Sequence, residues 1–121
     1  MKKTNFEERL LAVEQEALDF LKKSIKKGKA IRLYTEEEAE ENDNILYDLP
    51  NVTRVGKYSE YDEYAVAGLK NVDGEIIVEL EGKGEESGTE KEIPFSQLGE
   101  SYYGIDGYNL CKLADEVSKR I

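Results

Sequence analysis

The sequence predicts an α+β fold: a long N-terminal helix packed on a three- to five-stranded antiparallel sheet, with a C-terminal helix beside it. Three observations predict it. Apolar residues recur at intervals of three and four near both ends of the chain, the period of a one-sided helix. Runs between them alternate with a period of two, the signature of a half-buried strand. An Asp-Gly hairpin turn lies within that extended middle. Helix, strands, helix is the order of an α+β domain.

The first helix is expected over residues 4–27. Thr4 stands three residues before Glu7, the capping-box spacing that satisfies two leftover backbone donors. Phe6, Leu10, Val13, Ala17 and Phe20/Leu21 then fall on one face, with Ile25 close to the same stripe. Gly28 stands where a left-handed residue ends a helix. Such a helix spans ~35 Å, enough to be the main packing surface of a small domain.

Lys29 to Tyr34 reads as a short strand, with Ile31 and Leu33 on one face and Ala30, Arg32 and Tyr34 on the other. The polar run Thr35 to Asn44 is a loop or a short solvated helix capped by Thr35. Ile45 to Leu49 reads as a second strand closed by Pro50-Asn51. Val52 to Lys57 and Glu63 to Leu69 follow as strands, joined by Tyr58 to Asp62. Asn71-Val72-Asp73-Gly74 is a hairpin turn, because Asp-Gly adopts positive φ at little cost. Glu75 to Glu81 alternates with Ile76, Val78 and Leu80 inward and Ile77 breaking the pattern. Gly82 to Glu90 is expected to be a mobile loop. Glu92 to Phe95 is the last expected strand, at an edge because Pro94 has no N–H for a ladder. After a loop over Gly99 to Gly104, Asp106 caps a helix that turns Leu110, Leu113, Ala114, Val117 and Ile121 inward.

Composition narrows the function classes. A chain of 121 residues suits one domain. Its formal charge of −10 disfavours direct binding to nucleic acid or anionic lipid, which needs a basic field. No histidine is present and cysteine occurs once, which removes the commonest general base and metal ligand and any intrachain disulfide. Met1-Lys2-Lys3 is followed by charged residues rather than an apolar core. No run reaches the ~18–20 apolar residues of a membrane span. A cytoplasmic location is therefore expected.

Charge is unevenly placed. Residues 1–34 hold nine Lys/Arg against five Asp/Glu, whereas residues 35–121 hold eight against 22. Lys22, Lys23, Lys26, Lys27, Lys29 and Arg32 cluster at the end of the first helix, where cations complement the helix dipole; a patch for an acidic partner or phosphate is the alternative. The acidic run Glu36, Glu37, Glu38, Glu40, Glu41 and Asp43 reads either as a solvated segment or as carboxylates standing in for phosphates opposite a basic groove. Tyr58, Tyr61 and Tyr64 recur every third residue among acids, which suits a protein-binding surface or rings laid over the sheet edge.

Other motifs carry less. Gly82-Lys83-Gly84 lacks a following helix and is flanked by Glu85 and Glu86, so it is no phosphate loop. The acidic run lacks EF-hand spacing. Cys111 borders an apolar face with no histidine to activate it, the setting of a structural thiol. No catalytic, metal or cofactor residues are assigned. The expected function is a non-catalytic protein-binding module whose contacts are Glu36, Glu37, Glu38, Glu40, Glu41, Tyr58, Tyr61 and Tyr64, with nucleic-acid mimicry as a special case. The alternatives are a small enzyme or ligand-binding domain that works with carboxylates, Lys and Tyr, and a homo-oligomer paired through the first helix.

Overall fold

The computed structural model describes residues 11–54, 63–83, 88–98 and 103–121. In chain order these form α1 (Ala12–Ser24), β1 (Ala30–Arg32), α2 (Glu36–Glu41), α3 (Ile45–Asp48), β2 (Asn51–Arg54), β3 (Glu63–Val72), β4 (Glu75–Gly82), β5 (Glu90–Pro94), a 3-10 turn (Phe95–Gln97), β6 (Tyr103–Gly104) and α4 (Gly107–Ser118). The α+β expectation holds. The sheet runs β5-β4-β3-β2-β6, with β1 also paired to β3, and every pairing is antiparallel.

The β3–β4 hairpin organises the sheet. Asp73 and Gly74 both have positive φ, 54° and 91°, the backbone of a tight turn whose twist matches that of the strands it joins. Asn71 fixes this end to α1: its side-chain Oδ1 accepts from the Gly74 N–H at 2.8 Å, and its side-chain Nδ2 donates to the Ile25 carbonyl at 2.9 Å.

On the other side of β3 lie β1 and β2, end to end. Ala30 to Arg32 pair with Lys70 to Gly68, and Asn51 to Thr53 pair with Ala65 to Glu63. Between them the Leu33 N–H donates to the Ala67 carbonyl at 2.8 Å, and the Val66 N–H donates to the Pro50 carbonyl at 2.9 Å. The two strands thus form one interrupted strand, from which residues 34–49 depart and return. This corrects the strand expected over Ile45 to Leu49. The edge of β3 is already occupied, so the chain has to reverse, and it does so through α2 and the short helical turn α3. Asn42 aids the reversal, with its side-chain Oδ1 accepting from the Asn44 N–H at 3.0 Å and its side-chain Nδ2 donating to Asp48 at 2.9 Å.

One face of the sheet is the core. Val66 pairs with Leu80 and Leu69 with Val78, across a register shift between Val66 and Gly68. That bulge lets two residues three apart share a face. They join Tyr64, Ile76 and Ile93 in a single cluster with Ala17, Leu18 and Leu21 of α1 and Leu110, Leu113 and Val117 of α4. The Asp106 carboxylate accepts from the Asn109 N–H at 2.7 Å, capping α4 as expected.

The helices differ from expectation in three places. Leu18 joins the buried stripe of Ala17, Leu21 and Ile25, whereas Val13, expected on it, is exposed. The Glu14 carboxylate accepts from the Leu11 N–H at 2.9 Å and crowds Gly107 at the start of α4, where a helix dipole favours negative charge. Gly28 has φ +80°, but α1 has already ended at Ser24. The glycine serves instead the turn closed by the Lys29 N–H donating to the Lys26 carbonyl at 2.9 Å. Ile121 is exposed rather than inward. The expected capping box at Thr4 and Glu7 lies outside the described residues.

Candidate protein-interaction surface

The second face of the sheet carries charge instead of a core. β4 alternates buried Ile76, Val78 and Leu80 with half-buried Ile77, Glu79 and Glu81. Register places Arg32, Gly68, Glu79 and Glu92 in one cross-strand row, and Ala65, Glu81 and Glu90 in the next. Glu79 therefore faces Glu92, and Glu81 faces Glu90. Like charges directly opposite cost free energy unless cations relieve them.

Among the described residues, Arg32 and Lys70 do so in part. The Arg32 guanidinium lies 3.7 Å from both Glu79 and Glu81. Lys70 Nζ lies 2.6 Å from Glu92, and the Glu92 carboxylate raises the pKa of the lysine. Gly68 makes the reach of Arg32 possible: a Cβ there would sit 2.7 Å from the Ile31 carbonyl oxygen and 3.6 Å from Arg32 Cδ. Tyr34 completes the group. Its hydroxyl donates to the Glu81 carboxylate, 2.6 and 2.7 Å from the two oxygens, and its ring centroid lies 5.5 Å from Arg32 Cζ. Burial, then the hydrogen bond and charge of Glu81, push the Tyr34 pKa up to about 12 against the partial opposition of Arg32.

Next to this face stands α2. The Thr35 hydroxyl accepts from the Glu38 N–H at 3.1 Å and the Glu38 carboxylate accepts from the Thr35 N–H at 3.1 Å, a reciprocal cap that starts this six-residue helix. Glu36, Glu37, Glu38, Glu40 and Glu41 are all exposed. An open cleft of about 730 Å³, lined by Arg32, Tyr34, Thr35, Glu36, Ala39 and Glu40, separates α2 from the end of β1. Arg32 and Tyr34 thus border both the cleft and the carboxylates of β4.

The structure brings the five expected glutamates together on one short helix. Tyr58 and Tyr61 lie outside the described residues. Tyr64 is 1% exposed and belongs to the core cluster, so it presents no ring at the surface; Lys91 Nζ lies 5.9 Å from its centroid. Sequence reasoning missed the cross-strand pairing of Glu79 with Glu92 and Glu81 with Glu90. Alternation signalled the outward direction of Glu79 and Glu81, but register depends on the bulge in β3, which no local pattern announces.

Other reactive groups have structural settings. Lys83 is buried, donates to the Asn51 side-chain carbonyl and lies 5.3 Å from the centroid of the Tyr47 ring. Desolvation lowers its pKa, opposed by Glu63. Burial raises the Cys111 thiol, assisted by the charges of Glu14 and Asp115. Lys22, Lys23, Lys26, Lys27 and Lys29 are exposed at the end of α1 and in the turn that follows. Among the described residues no three or more Cys, Asp or Glu side chains are grouped to hold a metal ion. No described helix is long and apolar enough to cross a membrane. Comparison of the chain with family models, curated proteins and solved structures gives no match.

Proposed function

We propose that this protein is a non-catalytic cytoplasmic module that binds another protein through its acidic surface, in the manner of a nucleic-acid backbone where the partner carries a basic groove. One observation carries the reading: the five exposed glutamates of α2 adjoin, across a cleft bordered by Arg32 and Tyr34, a sheet face that bears four more carboxylates. Among the described residues, one ion pair, Arg120 with Glu38 at 3.7 Å, engages a glutamate of α2. Glu36, Glu37, Glu40 and Glu41 are exposed and available to a partner's cations. A net charge of −10 adds long-range attraction for a basic surface, which raises association rates and makes binding sensitive to salt.

The test compares wild type with a variant carrying Gln at Glu36, Glu37, Glu38, Glu40 and Glu41, in pull-downs from nuclease-treated host lysate at low and moderate salt. Gln at position 38 keeps the capping box, so circular dichroism should be unchanged. The expected result is a partner held by wild type at low salt, weakened by added salt and lost by the variant. Equal capture of every partner by both proteins would overturn the reading.

A further inference from the structure

We propose that the outer edge of β5 is a docking site for an extended, Lys/Arg-bearing segment of a partner protein, which adds to the sheet as a further strand. This goes beyond the reading above, because the contact is a strand edge rather than α2.

Backbone direction comes first. The Gly82 N–H donates to the Thr89 carbonyl at 2.8 Å, and the register continues with Leu80 opposite Lys91 and Val78 opposite Ile93. In an antiparallel ladder alternate residues bond to alternate sides. Lys91 and Ile93 therefore direct their backbone groups at β4, while Glu90 and Glu92 direct theirs outward. Among the described residues no strand pairs with that side of β5. Pro94 has no N–H, so the edge offers two donors, at Glu90 and Glu92.

Charge then selects the occupant. The side chains of Glu90 and Glu92 lie on the same face as Glu81 and Glu79, directly opposite them. Arg32 and Lys70 reach Glu79, Glu81 and Glu92, but among the described residues no cation pairs with Glu90. A strand laid along β5 with Lys or Arg opposite Glu90 and Glu92 would supply the missing positive column, and opposite charges in facing positions stabilise a strand pair. The same glutamates discourage a second copy of this chain. An antiparallel register that engages both outward amides sets glutamate against glutamate, a recognised defence of exposed edges. Added strands gain affinity from main-chain bonds and specificity from alternate side chains, and this edge provides both for a segment of the pattern Lys-X-Arg.

The probe is a labelled peptide, Ser-Thr-Lys-Val-Arg-Val-Thr-Ser, titrated by fluorescence anisotropy, with amide exchange at Glu90 and Glu92 read by NMR. Saturating peptide should slow exchange at those two amides. N-methylation of the peptide's Lys and Arg nitrogens, which face β5 in the proposed register, should abolish binding, whereas N-methylation of its first Val should not. Glu90→Lys should weaken binding by about three- to tenfold, from one attraction exchanged for one repulsion. At ~0.15 M salt, where only near charges interact, the α2 variant with five Gln substitutions should bind the peptide like wild type, which separates this proposal from the one above. Absence of binding, binding without protection at Glu90 and Glu92, equal loss with either N-methylated peptide, or a β5-mediated dimer of this chain would each overturn it.

Discussion

Tyr34 holds its proton more firmly than an ordinary tyrosine because three influences favour the neutral phenol: lost hydration, the hydrogen bond to Glu81, and the charges of Glu81 and Glu90. Arg32 opposes them without cancelling them, and the pKa reaches about 12 from 10.0. In the unfolded chain the phenol ionises near its usual value, so across this interval the folded state binds more protons. The stabilisation is fully present below pH 10 and is lost as pH rises towards about 12. Ultraviolet titration of phenolate formation should therefore show a late-ionising phase that Tyr34→Phe reduces by one phenol. An identical late phase in the variant would assign it to another ring. Arg32→Met should move the Tyr34 contribution still higher, since the guanidinium favours the phenolate.

The interrupted strand shows which elements could be read from the chain and which could not. The β3–β4 hairpin was legible because Asp73-Gly74 specifies its turn and Ile76, Val78 and Leu80 specify its buried face. The final helix was legible from Asp106 and the spacing of Leu110, Leu113 and Val117. Local patterns failed where a distant element decided the outcome: Ile45 to Leu49 has strand-like composition, but β1 and β2 leave no space for it on β3. Of the surface, the acidic run of α2 was visible as composition, while its junction with the sheet through Arg32 and Tyr34 required the register of β1 on β3. That register rests on Gly68. A Cβ at this position would approach the Ile31 carbonyl oxygen to 2.7 Å, and that atom is backbone rather than the end of a flexible side chain. Gly68→Ala should destabilise the fold by about 1–3 kcal/mol, the usual cost of overpacking, read from the urea midpoint. It should also disturb Arg32, which passes over the same point.

For the whole molecule the question is whether attraction or repulsion between charges dominates. The formal charge is −10, and folding brings Glu79 against Glu92 and Glu81 against Glu90. Surface pairs such as Lys119 with Glu116 and Arg32 with Glu79, each with a half-buried carboxylate, contribute about 0–1 kcal/mol each, too little to offset a surplus of this size. At ~0.01 M salt the screening length is about 30 Å, so carboxylates across the molecule repel one another; at ~0.15 M it falls to about 8 Å and only near neighbours interact. Added salt should therefore raise the urea midpoint of wild type. The α2 variant with five Gln substitutions lacks half of the surplus charge and should show a smaller rise from a higher starting point at low salt. A midpoint that falls with salt would mean that the ion pairs around Arg32, Lys70 and Arg120 outweigh the net repulsion. The acidic surface would then be a self-neutralised network with little attraction left for a basic partner, so this measurement of stability also bears on how the protein binds.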